Sequence, residues 1–310
     1  MNFYFSSLMP TTLEADFIST KPNGCVLLSQ LNDRTAIERW ISRNHESDNK
    51  VKLFIDSGAY TCWTKNIAID RDEYIQYINS ISDDVECYAS LDVIPGAPGR
   101  ATLPTHQESI EASDKSWENY LYMRSRVKHP DKLLYTFHIG EDYQYLKKAL
   151  EYSDDLGVVG YLGLGGVVGK NDSDIIEFLD KCFEIIQNSS NPNVRVYTFG
   201  MTRFSTLTQF PIYSTDSTTY IQKGAFGCVM IDNTTLPISD NSELDDKNII
   251  NRNPAIMEAL NRELAKRNMT LEELRTSRDK RVLFNCISYY DLMETYKYIP
   301  RVRTVTAELW

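Results

Sequence analysis

The stretch Lys52-Leu-Phe-Ile-Asp56-Ser-Gly-Ala-Tyr60 joins a short apolar run, an acid directly after it, and three small residues before an aromatic ring. The apolar run Val51–Ile55, bounded by turn residues, has the length and composition of a buried strand. An amphipathic segment, Arg71–Ile81, follows at helical spacing. The same unit recurs in both directions along the chain. Further apolar runs lie at Asn2–Phe5, Cys25–Ser29, Cys87–Leu91, Leu133–His138, Val158–Leu164, Val194–Phe199 and Pro211–Thr215, making eight in all. Helical patterns at Arg34–Arg43, Glu108–Val127, Asp142–Ser153, Ser173–Gln187 and Arg203–Gln209 separate most of them. Eight strands alternating with helices predict an α/β fold, the (β/α)8 TIM barrel. A doubly wound open sheet is the alternative that the same alternation permits.

Residues 1–225 would form this barrel and 226–310 a C-terminal loop and helical appendage. The segment Asp232–Asn253, rich in Asp, Asn, Ser and Thr, reads as the connecting loop. Thr270 and Glu273 have the spacing of a capping box, so Pro254–Arg267 and Leu271–Lys280 are expected as two helices with a turn at Asn268.

The 310 residues are 42% hydrophobic and 25% charged, ordinary values for a globular chain able to bury a sizeable core. The net charge of −10 opposes nucleic-acid binding unless basic residues gather on one face. Arg262–Arg281 holds seven Lys/Arg against four acids, and Arg301 and Arg303 follow. This is a solvated helix face or a polymer-binding surface. The six cysteines contain no CxxC pair and read as small buried hydrophobes, so no metal site is expected. MNFYFSSLMP lacks a basic n-region, and no apolar stretch approaches the ~18 residues of a membrane span. A cytosolic protein is expected.

In a parallel barrel, chemistry sits at the C-terminal ends of the strands. Asp56, Asp92 and Asp216 are each the first acid after an apolar run. Any one alone suits a helix N-cap, but three from different strands would converge on one mouth. Tyr60 offers a stacking face or a packed core ring. The turn Tyr161-Leu-Gly-Leu-Gly165-Gly166-Val-Val-Gly169 can present backbone N–H groups to a ligand, or is a tight barrel turn. It lacks the spacing of a dinucleotide fingerprint or a phosphate loop. His138, in Thr136-Phe-His138-Ile-Gly140-Glu141, is a substrate contact or a structural hydrogen-bonder.

Taken in order, these motifs resemble those of guanine transglycosylases: Asp56-Ser-Gly-Ala-Tyr60, Ser90-Leu-Asp92, Phe137-His-Ile-Gly140, Gly160–Gly169, Tyr197-Thr-Phe-Gly200 and Ser214-Thr-Asp216-Ser. Those enzymes place queuosine or archaeosine in tRNA. The likeness is closest to phage and bacterial relatives that insert 7-deazaguanines into DNA, above all around Thr198–Thr218. It spans roughly residues 50–220.

The resemblance implies exchange of guanine in DNA for a free 7-deazaguanine base of the preQ0 type, without a cofactor, through a covalent Asp–nucleic acid intermediate. Asp216 would be the nucleophile and Asp56 the general acid/base. Asp92 would hydrogen-bond the purine edge, and Gly165 and Gly166 would give backbone contacts. Tyr60 would stack on the base, Phe199 cover its other face, and Ser57 and His138 complete the pocket. The location implied is the cytoplasm, the host's if the chain is phage-encoded. His138 stands where the tRNA enzymes carry Gln. Their zinc site has no counterpart after residue 216, where Cys228 and Cys286 remain and no His follows His138. Their basic motif after the nucleophile is also missing. Polymer binding would then fall to Arg275, Arg278 and Arg281, with DNA as the partner and tRNA as the alternative. Rival expectations are a tRNA-guanine transglycosylase, a two-carboxylate TIM-barrel glycosidase, and a catalytically silent transglycosylase partner subunit. Nothing in the sequence sets the oligomeric state.

Overall fold

A computed structural model of the chain describes residues 1–97, 104–167, 169–231, 234–239 and 253–299. Arg301, Arg303 and most of the expected 232–253 loop lie outside the described residues.

Eight parallel strands close into a barrel, as the alternation predicted: β1 (Asn2–Ser6), β2 (Cys25–Ser29), β3 (Lys52–Asp56), β4 (Cys87–Ala89), β5 (Leu133–His138), β8 (Tyr161–Gly165), β9 (Arg195–Thr198) and β10 (Ser214–Ser217). Two two-residue strands, β6 (Ser153–Asp154) and β7 (Gly157–Val158), form a hairpin outside the barrel. The expected strand Val158–Leu164 therefore starts later, at Tyr161. Closure comes from β1 pairing with β10, with Tyr4 opposite Asp216.

Side chains alternate across the sheet. Tyr4, Leu27, Phe54, Cys87, Leu134, Tyr161 and Tyr197 fill the barrel interior. Phe5, Val26, Leu53, Ile55, Tyr135, Leu162 and Val196 face outward, into the core shared with the helices. Counting in twos from the interior set puts Ser6, Asp56, His138, Gly165 and Phe199 at the C-terminal mouth. Asp216 joins them through its register with Tyr4.

The helices α1 (Leu13–Ser19), α2 (Arg34–Glu46), α4 (Arg71–Ile81), α5 (His106–Arg124), α6 (Tyr143–Glu151) and α7 (Asp172–Gln187) surround the sheet. A short α3 (Ala59–Lys65) follows β3, and α8 (Phe204–Leu207) follows β9. The side chains of Thr12, Asp70, Asp142 and Asn171 cap α1, α4, α6 and α7. At the head of α5, Thr105 and Glu108 form a capping box.

After β10 come α9 (Thr219–Ala225) and an antiparallel hairpin, β11 (Cys228–Ile231) with β12 (Thr234–Pro237). Thus β12 occupies part of the region expected to be loop. Then follow α10 (Pro254–Arg267), α11 (Leu271–Thr276) and α12 (Arg278–Glu294). Asn268 ends α10 at φ 51°, and the Thr270–Glu273 capping box opens α11. The expected helix Leu271–Lys280 stops at Thr276, because Ser277 caps a new 17-residue helix through the Lys280 N–H.

Helix α12 belongs to two cores. Val282, Cys286, Tyr289, Tyr290 and Met293 pack on the barrel. Phe284 faces a smaller cluster with Val229, Leu236, Leu260 and Leu274. Buried Asn285 stitches the seam, accepting from Met230 N–H and donating to the Tyr220 and Cys228 carbonyls. The charges of Arg278 and Asp279 act on Glu14, just past the mouth end of β1. Tyr290 instead meets Phe17, and Tyr296 bonds the Phe210 carbonyl ahead of β10. Helix α12 therefore descends from the mouth to the opposite end as the eighth helix of the barrel.

Candidate active site

Asp216 sits on β10, 8% exposed, where strand closure brings two donors to it. Ser6 Oγ donates to Oδ2 at 2.6 Å, and Gly200 N–H donates to Oδ1 at 3.0 Å. Burial raises its pKa above the ordinary carboxylate value, and these two donors hold part of the rise back. The Tyr197 phenol lies beside it and feels its charge, but makes no complete hydrogen bond. Asp216 is not a helix cap: Ser217 Oγ, not Asp216, takes the Thr219 N–H at the start of α9.

Asp56 ends β3 and accepts the Gly58 N–H at 2.9 Å in an Asx-type turn. Gly58 has φ +86°, and a Cβ there would stand 2.7 Å from Leu31 Cβ. That close approach, as well as the backbone angle, requires glycine. Burial, then the neighbouring charge of Asp92, lifts the Asp56 pKa to about 7, with Asp216 adding to the rise. The charge of Asp216 is thus felt at Asp56 across the mouth, while hydrogen bonds from Ser6 and Gly200 favour the charged form of Asp216 itself.

Asp92 follows β4 and pairs with His138 Nε2 at 3.0 Å. Glu141, on the turn after β5, reaches back to His138 Nδ1 at 3.3 Å and to the His138 N–H at 3.2 Å. Both ring nitrogens are therefore occupied by carboxylates. The direct substrate contact expected of His138 has no free ring nitrogen to make it. Burial disfavours the imidazolium, but Asp92 and Glu141 outweigh it and raise its pKa to about 10.

The other expected residues divide. Tyr60 is 67% exposed with Trp63 beside it, so the core alternative fails and its ring is free to stack. Phe199 packs on Tyr197 and Phe54 at centroid distances of 4.8 and 6.0 Å, with an edge over Gly163, where a Cβ would stand 2.7 Å away. Gly165 is buried, and its missing Cβ makes room for the His138 ring; Gly166 is exposed at φ +75°. Ser57 departs from expectation. It is fully buried, its Oγ taking the Ala59 N–H and its carbonyl the Gln30 amide. It shapes the turn under Asp56 rather than lining a pocket. Ser6, Glu141 and the Gly200 N–H escaped the sequence reading. Ser6 and Glu141 lie within or beside segments it singled out, but nothing in their spacing names their partners.

A cavity of about 160 Å³ opens beside the Gly200 turn, lined among others by Val167, Gly169, Lys170, Met201 and Arg203. Arg203 pairs with Asp172 at its rim. Among the described residues no group of three or more His, Cys, Asp or Glu is placed to hold a metal ion. No helix among them is long and apolar enough to cross a membrane.

The basic stretch is less available than its count suggests. Arg262, Lys266, Arg267 and Lys280 pair with Glu258, Glu263, Asp291 or Glu273. Arg281 is buried and donates to the Gly224, Leu274 and Arg275 carbonyls, so it is a structural clasp and not a phosphate contact. Arg275 is half-buried and Arg278 exposed, and neither forms an ion pair among the described residues.

The protein is thus a (β/α)8 barrel whose mouth gathers carboxylates from three strand ends, one of them, Asp92, paired with a buried histidine. The sequence matches no protein-family model and no curated protein.

Proposed function

We propose that the protein is a guanine transglycosylase that exchanges guanine in DNA for a free 7-deazaguanine base of the preQ0 type. The observation that carries this reading is the unequal setting of two carboxylates at one mouth. Asp216 receives two hydrogen bonds that favour its charged form, and Asp56 has a pKa of about 7. Charged Asp216 suits attack on C1′, forming an ester to the sugar as the bond from C1′ to the base breaks. Protonated Asp56 suits donation to the departing base. Its carboxylate then takes the N–H proton of the incoming base, which attacks C1′ and releases Asp216. One glycosidic bond replaces another, so the chemistry needs no cofactor.

Exposed Tyr60 and the Phe199 edge supply faces for a base flipped from its stack. Lys170 in the cavity beside Gly200, with Arg275 and Arg278, supplies cations for the phosphate backbone.

The test is incubation of the protein with isotopically labelled preQ0 and, in separate reactions, duplex DNA or tRNA, followed by nucleoside mass spectrometry. Label in DNA, a trapped protein–DNA adduct, and loss of both in Asp216→Asn are expected, the loss exceeding about 10³-fold in rate. Label in tRNA alone would overturn the choice of polymer. Hydrolysis of simple glycosides without incorporation would favour the two-carboxylate glycosidase. Absence of adduct and of any turnover would leave the silent partner subunit.

A further inference from the structure

We propose that Glu141, His138 and Asp92 form a buried clamp, with His138 an imidazolium held between two carboxylates, that leaves Asp92 as an acceptor-only reader of N–H groups on the base. This inference rests on the base-exchange reading above and names the device that makes one of its contacts selective.

The clamp is built from three neighbouring segments. His138 is the last residue of β5 and faces inward. Gly140, at φ +95°, folds the chain so that Glu141 returns to the ring Nδ1. Asp92 approaches Nε2 from the loop after β4. On the third side Gly165 of β8 lies flat against the ring, where a Cβ would stand 2.8 Å from His138 Cδ2. The side chains of His138, Asp92 and Glu141 are 8%, 11% and 0% exposed. The ring cannot rotate away without stranding a buried carboxylate.

A neutral imidazole has one N–H and one lone pair. Between two carboxylates, its bare nitrogen would face an acceptor. Only the doubly protonated ring gives each carboxylate a donor. The charged groups around the ring agree with that state. Asp92 and Glu141 face it directly and raise its pKa to about 10 against the cost of burial. Gly165 adds no charge. Tyr135, on the same strand, senses Glu141 and Asp92, and Asp56 senses Asp92 across the mouth.

Two consequences follow for Asp92. Its Oδ2 is committed to His138, while Oδ1 has no hydrogen-bond partner among the described residues. A carboxylate held this way accepts and does not donate, so it selects a base edge carrying N–H donors and rejects one presenting acceptors. Its fixed charge also helps keep Asp56 protonated near neutrality. His138 and Glu141 act through Asp92 and are positioning residues.

The experiment uses the full chain labelled with ¹⁵N-histidine. Of the four histidines, His138 is identified by the spectrum of His138→Gln. Both His138 ring nitrogens should remain protonated at about pH 8, well above the ordinary histidine midpoint. A neutral His138 at that pH would overturn the clamp. Glu141→Gln, nearly isosteric, should lower the His138 midpoint. It should also weaken binding of free guanine by about tenfold or more, with KM for the base rising while kcat falls less than about threefold. Unchanged titration and guanine affinity in that variant would also overturn it. If wild type holds the imidazolium but does not bind guanine, the base-reading role is overturned. If it binds guanine yet incorporates no base into nucleic acid, the transglycosylase reading fails and the clamp stands.

Discussion

Ser6 Oγ donates a 2.6 Å hydrogen bond to Asp216 Oδ2 across 210 positions of sequence. The two residues end β1 and lie on β10, the strands whose pairing closes the barrel. The candidate nucleophile is therefore oriented by closure itself, and Gly200 at the end of the neighbouring strand completes its hold.

Ser6→Ala removes one hydrogen bond to a buried charged group. Such a bond is worth about 1.5–3 kcal/mol, so base-exchange turnover should fall about 10- to 100-fold. The bond favours charged Asp216, so its loss lifts the Asp216 pKa further. The acid limb of the rate profile should move to higher pH. A pH–rate series checks this, and an unmoved limb with near-normal turnover would count against the role.

Asp56 carries a stability cost with a defined sign. Its pKa is about 7 in the folded chain against 3.8 for the unperturbed group. Between these values the folded state holds a proton that the unfolded state has released. Stability from this group therefore declines as pH rises through that window and is level above it. Asp56→Asn should stabilise the fold by a few kcal/mol at about pH 8 and by almost nothing near pH 4, while slowing exchange. Denaturant titrations at the two pH values check it; an equal gain at both would refute the shifted pKa.

Gly165→Ala would place a methyl 2.8 Å from His138 Cδ2 and 3.2 Å from Nε2. The ring must shift, loosening the 3.0 Å contact with Asp92. A loss of about 1–3 kcal/mol in stability is expected, as for overpacking elsewhere. The His138 midpoint should fall with it. A variant with wild-type histidine titration would show that the ring is not held by this approach.

Arg275 and Arg278, near the mouth end of α12, are the cations left open in the basic stretch. Arg275→Glu with Arg278→Glu should weaken DNA binding across all sequences and lower the salt slope by about two, roughly one per phosphate contact. Arg281→Ala should instead lower the melting temperature, because it strands the Gly224, Leu274 and Arg275 carbonyls. Normal DNA affinity in the double variant would reduce the stretch to a solvated face.

The barrel was legible in the chain because it rests on local rules. Apolar runs such as Leu53–Ile55 alternate with amphipathic segments such as Arg71–Ile81, and Thr270 with Glu273 announces a helix start. Period-two alternation also explains why Asp56 and His138, at even spacing from inward Phe54 and Leu134, face the mouth. What no local rule carries is which residues meet once distant segments pack. Ser6 finds Asp216 only through closure, and Glu141 and Asp92 take both nitrogens of His138 only because two loops converge on one ring. Arg281 reads as a surface cation until α12 proves to have faces in two cores, and Ser57 as a pocket residue until its turn is folded. Periodicity and capping act over a few residues and are written into them; charge state, orientation and exposure depend on neighbours supplied by the whole chain.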